Sequence, residues 1–125
     1  MYSHMMVGSN DLERAKTFYD AVFGALGGAE GFLDPKGRLI YLHNGGVFMV
    51  TKPIDDEPAT SGNGMTIGFA MESTEQADAW HAAGLNAGGK TIEDPPGWRE
   101  SNDMRMYLAY LRDPDGNKLC ALLRG

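Results

Sequence analysis

His4 and Cys120 are the two residues of this sequence whose side chains could act directly in chemistry at one site. Each lies in a short β-type run, where strand alternation directs it away from the packed side. An imidazole can serve as a general base or a metal ligand, and a thiolate can serve as a nucleophile or a soft metal ligand. Two further interpretations stay open, a hydrogen-bonding cleft histidine for His4 and a small buried hydrophobe for Cys120.

An internal repeat places these residues in related positions. A strand, a helix capped by Asn10 or Asp11 and a hairpin lead into a loop at residues 53–63, after which strand, helix and hairpin recur. Superposing the halves sets His4 on Thr66 and Met49 on Cys120. We therefore expect these four residues to lie around one cleft, with Met49 and Thr66 as binding residues.

The repeat also predicts the fold class. Residues 1–125 are expected to form one α+β domain of two βαβββ modules, at about residues 1–56 and 62–125. The modules should form a curved mixed β-sheet around a shared cleft, with the helices outside.

Other residues are weaker candidates for the site. Trp98 and Arg99 follow a Pro-Pro-Gly loop, where they could close over a ligand as an aromatic plate and a carboxylate-binding fork or could be plain surface residues. Tyr107 and Tyr110 lie three positions apart in one strand, so one of them should face the cleft. His81 is expected to be a partly exposed histidine on a helix.

Composition limits the partners. Seventeen acidic and eleven basic residues give a net charge of −6, which disfavours nucleic acid and anionic membranes as partners. No run is long enough to span a membrane, and a single cysteine cannot form an internal disulfide. We therefore expect a cytoplasmic protein.

The last hairpin resembles a known superfamily. An aromatic strand at residues 107–112, the turn Asp113-Pro114-Asp115-Gly116-Asn117 and a strand at residues 118–123 are similar to the end of vicinal-oxygen-chelate proteins, which include glyoxalase I, extradiol dioxygenases and bleomycin-resistance proteins. The opening strand with His4, the segment at residues 10–19 and the doubled module extend the resemblance to essentially the whole chain. It implies the fold described above and a homodimer.

The resemblance also implies a metal site that this sequence does not complete. Metal-dependent members place histidine or glutamate at the positions of His4, Met49, Thr66 and Cys120, and only His4 matches. A divalent ion needs about three imidazole or carboxylate ligands, so we expect no metal cofactor. The alternative is a divalent metal of the family type, a weak zinc site at His4 and Cys120, or a copper(I) site that adds Met49 to these two.

Two functions follow from the resemblance. The chain could be a glyoxalase-type lyase or isomerase, or at most a dioxygenase-like enzyme, in which His4 is a ligand or general base with Cys120 nearby. It could instead be a metal-free protein that binds or sequesters a small molecule, as bleomycin-resistance members do, and its acidic charge would attract a cationic ligand. Both place a small-molecule ligand in the cleft, and the sequence leaves turnover open.

Overall fold

Two similar modules follow one another in the structure, a computed structural model that describes all 125 residues. The elements of the first module are β1 (Met5–Gly8), α1 (Leu12–Ala25), β2 (Phe32–Leu33), β3 (Leu39–His43) and β4 (Gly46–Thr51). Those of the second are β5 (Ile67–Ala70), α2 (Thr74–Asn86), β6 (Lys90–Thr91), β7 (Gly97–Ser101), β8 (Met104–Arg112) and β9 (Lys118–Arg124). The α+β class and the two modules are confirmed, and the residue boundaries drawn between the modules stay a prediction.

Each helix begins at the polar residue that the sequence offers as a cap. The side chain of Asp11 accepts a hydrogen bond from the backbone N–H of Arg14, and that of Ser73 accepts one from Gln76. Beyond α1, Gly27 takes a positive φ of 80°, which lets the chain turn at low steric cost. Neither helix is long and apolar enough to cross a membrane.

The strands form two separate sheets rather than one. In the first sheet the order is β1-β4-β3-β2, with β1 parallel to β4; in the second it is β5-β9-β8-β6, with β5 parallel to β9 and β7 paired to β8. No Cα atom in a strand of one sheet lies within 8 Å of a Cα atom in a strand of the other. The predicted mixed sheet structure is therefore present as two sheets, one in each module.

A single hydrophobic core joins the modules through their helices. Phe18 and Val22 of α1 and Trp80 of α2 belong to one buried cluster with side chains of both sheets. The ring of Phe48 on β4 lies 5.6 Å from that of Phe69 on β5. The helix-facing sides of the two sheets thus meet in one core, which lies between them.

The turn between β8 and β9 fastens the second module to the first. Asp113 is buried and accepts a hydrogen bond of 2.5 Å from the hydroxyl of Tyr19 on α1. Asp115 accepts hydrogen bonds from the Ser9 hydroxyl at 2.6 Å and from the Arg14 guanidinium at 2.8 Å. Both aspartates of this turn therefore hold residues of the first module.

Candidate functional site

The side of each sheet that faces away from the helices is called here its free face, and Met49 and Cys120 lie on the free faces of the first and the second sheet. On β9, Leu119 and Ala121 belong to the core, whereas Cys120 between them is buried outside it. On β4, Phe48 and Val50 belong to the core, and Met49 between them does not. The predicted strand parity is therefore confirmed at both positions.

Within one chain the two free faces do not form a common cleft. The helix-facing sides of both sheets converge on the core, where Phe48 and Phe69 meet, so the opposite sides point away from each other. Met49 and Cys120 lie in different sheets with Cα atoms more than 8 Å apart. The expectation that a single chain gathers the four residues around one cleft is wrong, because parity assigns a face but not the arrangement of the modules.

His4 and Thr66 lie just before the strands to which the sequence assigned them. β1 begins at Met5 and β5 begins at Ile67, so both residues are exposed chain leading into the free faces. The Nδ1 atom of His4 shares a hydrogen bond of 2.7 Å with the hydroxyl of Ser3. The imidazole is thus accessible and held only by its neighbour.

Cys120 is 4% exposed and is directly paired with Gly68 of β5 and Tyr110 of β8. Burial raises the pKa of its thiol, and the Glu93 carboxylate acts in the same direction. The Tyr110 side chain and the Lys118 ammonium work the other way but do not reverse the shift. The thiol form is therefore favoured at neutral pH, which is the condition of an unreactive cysteine.

Tyr110 is the tyrosine of β8 that lies on the free face. Burial raises the pKa of its hydroxyl, and the ammonium of Lys118 lies 5.0 Å from its ring centroid. Tyr107 is buried in the core side of the sheet, where its hydroxyl donates a hydrogen bond of 2.6 Å to Asp78 of α2. Of the two tyrosines, Tyr110 is therefore the one that lies on the free face, and Tyr107 lies on the core side.

Trp98 and Arg99 belong to strand β7, which begins at Gly97, the last residue of the predicted Pro-Pro-Gly loop. Trp98 pairs with Tyr107, and the Arg105 guanidinium lies 3.9 Å from its ring centroid. The Arg99 guanidinium donates hydrogen bonds to the backbone carbonyls of Gly97, Asp94 and Pro95. These contacts hold the preceding turn against the strand and use both terminal nitrogens of Arg99.

His81 is buried on α2, contrary to the partly exposed position expected for it. It is 9% exposed, and its Nε2 atom shares a hydrogen bond of 3.0 Å with the hydroxyl of Thr91 on β6. Burial lowers the pKa of the imidazole. The short strand β6 covers the His81 side chain, and the sequence of this region had indicated a loop.

The donor set does not fit the metal that the superfamily uses. A hard or borderline divalent ion requires imidazole and carboxylate donors, whereas Met49 and Thr66 offer a thioether and a hydroxyl. No three His, Cys, Asp or Glu side chains of the chain are grouped in a way that could hold a metal ion. No step of chemistry is therefore assigned to a metal.

Two cavities are lined largely by residues that the sequence did not predict for the site. One, of about 240 Å³, opens between the modules and is lined mainly by apolar side chains, among them Phe23, Phe48 and Phe69. The other, of about 530 Å³, is called here the polar pocket; its lining includes Thr66 together with Arg112 and Lys118. Lys118 was missed although its place two residues before Cys120 puts it on the same face of β9.

The chain is similar to known proteins in both sequence and fold. The family described as Glyoxalase/Bleomycin resistance protein/Dioxygenase superfamily matches residues 2–121. A crystal structure of a glyoxalase/bleomycin resistance protein from Albidiferax ferrireducens T118 is 56% identical, with 99% of each chain covered and a TM-score of 0.94. No functionally curated protein matches.

More distant structures share the fold. A glyoxalase-related enzyme from Fulvimarina pelagi is 22% identical, with 98% of this chain and 87% of that chain covered and a TM-score of 0.74. A lactoylglutathione lyase from Agrobacterium tumefaciens is 18% identical, with 98% and 92% covered and a TM-score of 0.68. With the family matched over nearly the whole sequence, the chain belongs to the glyoxalase/bleomycin resistance protein/dioxygenase superfamily.

Proposed function

We propose that this protein binds a small organic molecule on the free faces of its sheets without using a metal. One observation carries the proposal. A Cβ atom added at Gly68, on the free face of the second sheet, would meet no atom within 4 Å, and Gly68 is paired with Cys120. The surface there is accessible, apolar and bordered by the hydroxyl of Tyr110, which suits a bound organic molecule with few polar groups.

The residues would have simple roles in binding. Tyr110 and Thr66 would offer hydroxyl groups to the polar part of the ligand, and Cys120 would pack as a small apolar group. Met49 on the first sheet would contribute a flexible thioether, which adapts to ligands of different shape. The geometry supports no such role for Tyr107, whose hydroxyl binds Asp78.

A homodimer would bring the two kinds of free face together. Within one chain these faces point apart, so a second copy is needed to set a first-sheet face with Met49 against a second-sheet face with Cys120. The first free face also exposes apolar side chains, with Leu42 56% and Met6 36% exposed. In a twofold dimer the same contact would occur twice and create two equivalent clefts.

The binding proposal is tested by a thermal-shift panel of small organic molecules on the wild-type protein and on Gly68→Val. The variant should fold, because its Cβ atom meets open space and valine is favoured in strands, and it should lose the shift produced by any ligand of the wild type. Gly24→Ala, at a helical position with equally open space, is the matched control and should keep the shift. A ligand that stabilises Gly68→Val as much as the wild type would contradict the proposed site.

A glyoxalase-type lyase or isomerase is the second candidate, favoured by one observation. The imidazole of His4 is exposed and bonded only to Ser3, which leaves its Nε2 atom available as a base or ligand. Elemental analysis separates the two functions. We expect far less than one divalent ion per chain, whereas near-stoichiometric metal that is lost in His4→Ala would support the enzyme.

We further propose that this binding takes place in the cytoplasm, without a nucleic-acid or membrane partner. The single cysteine suits a reducing compartment, and the net charge of −6 disfavours polyanionic partners.

A further inference from the structure

The polar pocket differs from its surroundings in charge. It is lined by Arg112, Gly116 and Lys118 and by residues 61–66, and none of these nine residues is acidic. Only one of them, Met65, is hydrophobic. Two cations are therefore gathered in one concave surface of a chain whose net charge is −6.

The guanidinium of Arg112 is both held in place and available. Its Nη1 atom donates a hydrogen bond of 2.7 Å to the carbonyl of Gly116, which fixes the group at the pocket wall. Its Nε and Nη2 atoms donate to no atom of the chain, and Arg112 has no carboxylate partner. A planar guanidinium with free donors suits a carboxylate or a phosphate.

The loop that contributes residues 61–66 to the pocket supplies uncharged donors. The backbone N–H groups of Gly62, Asn63 and Gly64 make no hydrogen bond within the chain, and the hydroxyls of Ser61 and Thr66 are also unpaired. Gly62 and Gly64 have positive φ values of 70° and 104°, a backbone form that glycine adopts readily. The pocket lining thus contains unpaired donors besides Arg112, whereas it contains no carboxylate.

Lys118 already has an ion-pair partner, so an anion that binds in the pocket would compete with this partner for the ammonium group. Its ammonium forms an ion pair with Glu93, a half-exposed residue outside the pocket lining. Because the pair is partly solvated, its loss would cost little. Glu93 would therefore weaken anion binding in the pocket rather than prevent it.

The polar pocket is continuous with the ligand face described above. Lys118 and Cys120 lie on the same face of β9, and Thr66 leads directly into β5, where Gly68 leaves the surface open. We propose that the polar pocket binds the carboxylate or phosphate group of a small organic acid, whose apolar part extends over Gly68 and Cys120. This inference deepens the proposed function and rests on it.

Four aromatic probes of similar size test the proposal by calorimetric titration at constant ionic strength. Benzoate and phenyl phosphate carry the two anionic groups, benzyl alcohol is neutral, and benzylammonium is cationic. We expect at least one anion to bind about tenfold or more tightly than the alcohol and the cation. The stronger of the two anions identifies the acid group, and equal binding of all four probes would overturn the proposal.

Three variants connect the binding to the pocket. Lys118→Gln should weaken the anion about tenfold, and Glu93→Gln, which releases Lys118, should tighten it severalfold. Lys36→Gln removes a cation from an exposed turn of the first module and should change nothing. An affinity unaffected by Lys118→Gln and Glu93→Gln would refute the assignment.

Failure of this inference is distinguishable from failure of the proposed function. If a neutral or cationic compound stabilises the wild type but not Gly68→Val, and no anion binds, the ligand face stands and the anion pocket is refuted. If no compound of either series binds, both are refuted.

Discussion

Among single residues, Cys120 shows how burial controls the reactivity of a thiol. Its thiol is 4% exposed, and burial raises its pKa, so both access and thiolate fraction are reduced. A thiol-reactive probe at neutral pH should label the folded protein at least about tenfold more slowly than free cysteine.

The labelling experiment carries its own control. Unfolding the protein in urea should restore the rate of a free cysteine, and Cys120→Ser should abolish labelling while leaving the fold intact. Fast labelling of the folded protein that a bound ligand blocks would show Cys120 to be a functional thiolate instead.

His81 makes stability depend on pH in a defined direction. Burial lowers its pKa in the folded state, so below the ordinary imidazole pKa of about 6.5 the unfolded chain binds more protons than the folded one. Stability from this residue is therefore complete above that pH and is lost as the pH falls through the folded pKa. The nearby Asp78 carboxylate and the Tyr110 backbone oppose the shift without cancelling it.

We expect the melting temperature to fall between pH 7 and pH 5 less steeply in His81→Gln than in the wild type. Equal slopes in wild type and His81→Gln would show that His81 does not cause the pH dependence.

At the scale of secondary structure, the β8–β9 turn is a connection between modules as well as a hairpin. The Asp115 carboxylate has 1% of its side-chain surface exposed and takes three donors, from Ser9, Arg14 and the backbone N–H of Asn10. Asp115→Asn removes the charge and replaces one acceptor oxygen by a donor. The free energy of unfolding should fall by about 2–3 kcal/mol.

Urea unfolding measures this loss. The control is Asp103→Asn, an exposed aspartate without a hydrogen-bond or ion-pair partner in a left-handed conformation that asparagine also adopts. It should change stability by less than about 0.5 kcal/mol. Equal effects of the two variants would mean that the turn does not fasten the modules.

Local patterns predicted most of these elements, and the failures have physical causes. The caps at Asp11 and Ser73 and the face of Cys120 follow from short-range rules that act within a few residues. Strand β7 was missed because Pro95, Pro96 and Gly97 indicate a loop, although pairing with the long strand β8 holds it extended. Tertiary contacts that no short window contains decide such strands.

For the candidate site, the sequence predicted on which face of its sheet each residue lies, but not how the two free faces are arranged relative to each other. The repeat correctly relates Met49 to Cys120, because both occupy the free face of equivalent strands. Whether two such faces share a cleft depends on how the modules pack, and that is decided by contacts such as Phe48 with Phe69. Strand periodicity contains no information about those contacts.

At the scale of the whole molecule, the arrangement of the modules predicts a homodimer. The exposed apolar side chains of the first free face, among them Leu42, are unusual for a surface that only meets water. Both β1 and β5 are edge strands, and a second copy would cover them as well. Light scattering at micromolar concentration should report twice the 13.6 kDa mass of the chain.

A matched pair of substitutions locates the dimer contact. Leu42→Lys introduces a charge on the free face of the first sheet, so it should produce a folded monomer that loses the ligand-induced thermal shift. Leu85→Lys introduces the same charge on the exposed side of α2, where Leu85 is 40% exposed, and should remain dimeric. A wild-type monomer would contradict the two-copy cleft, and dissociation by Leu85→Lys alone would place the contact on the helices, leaving each free face to bind its ligand by itself.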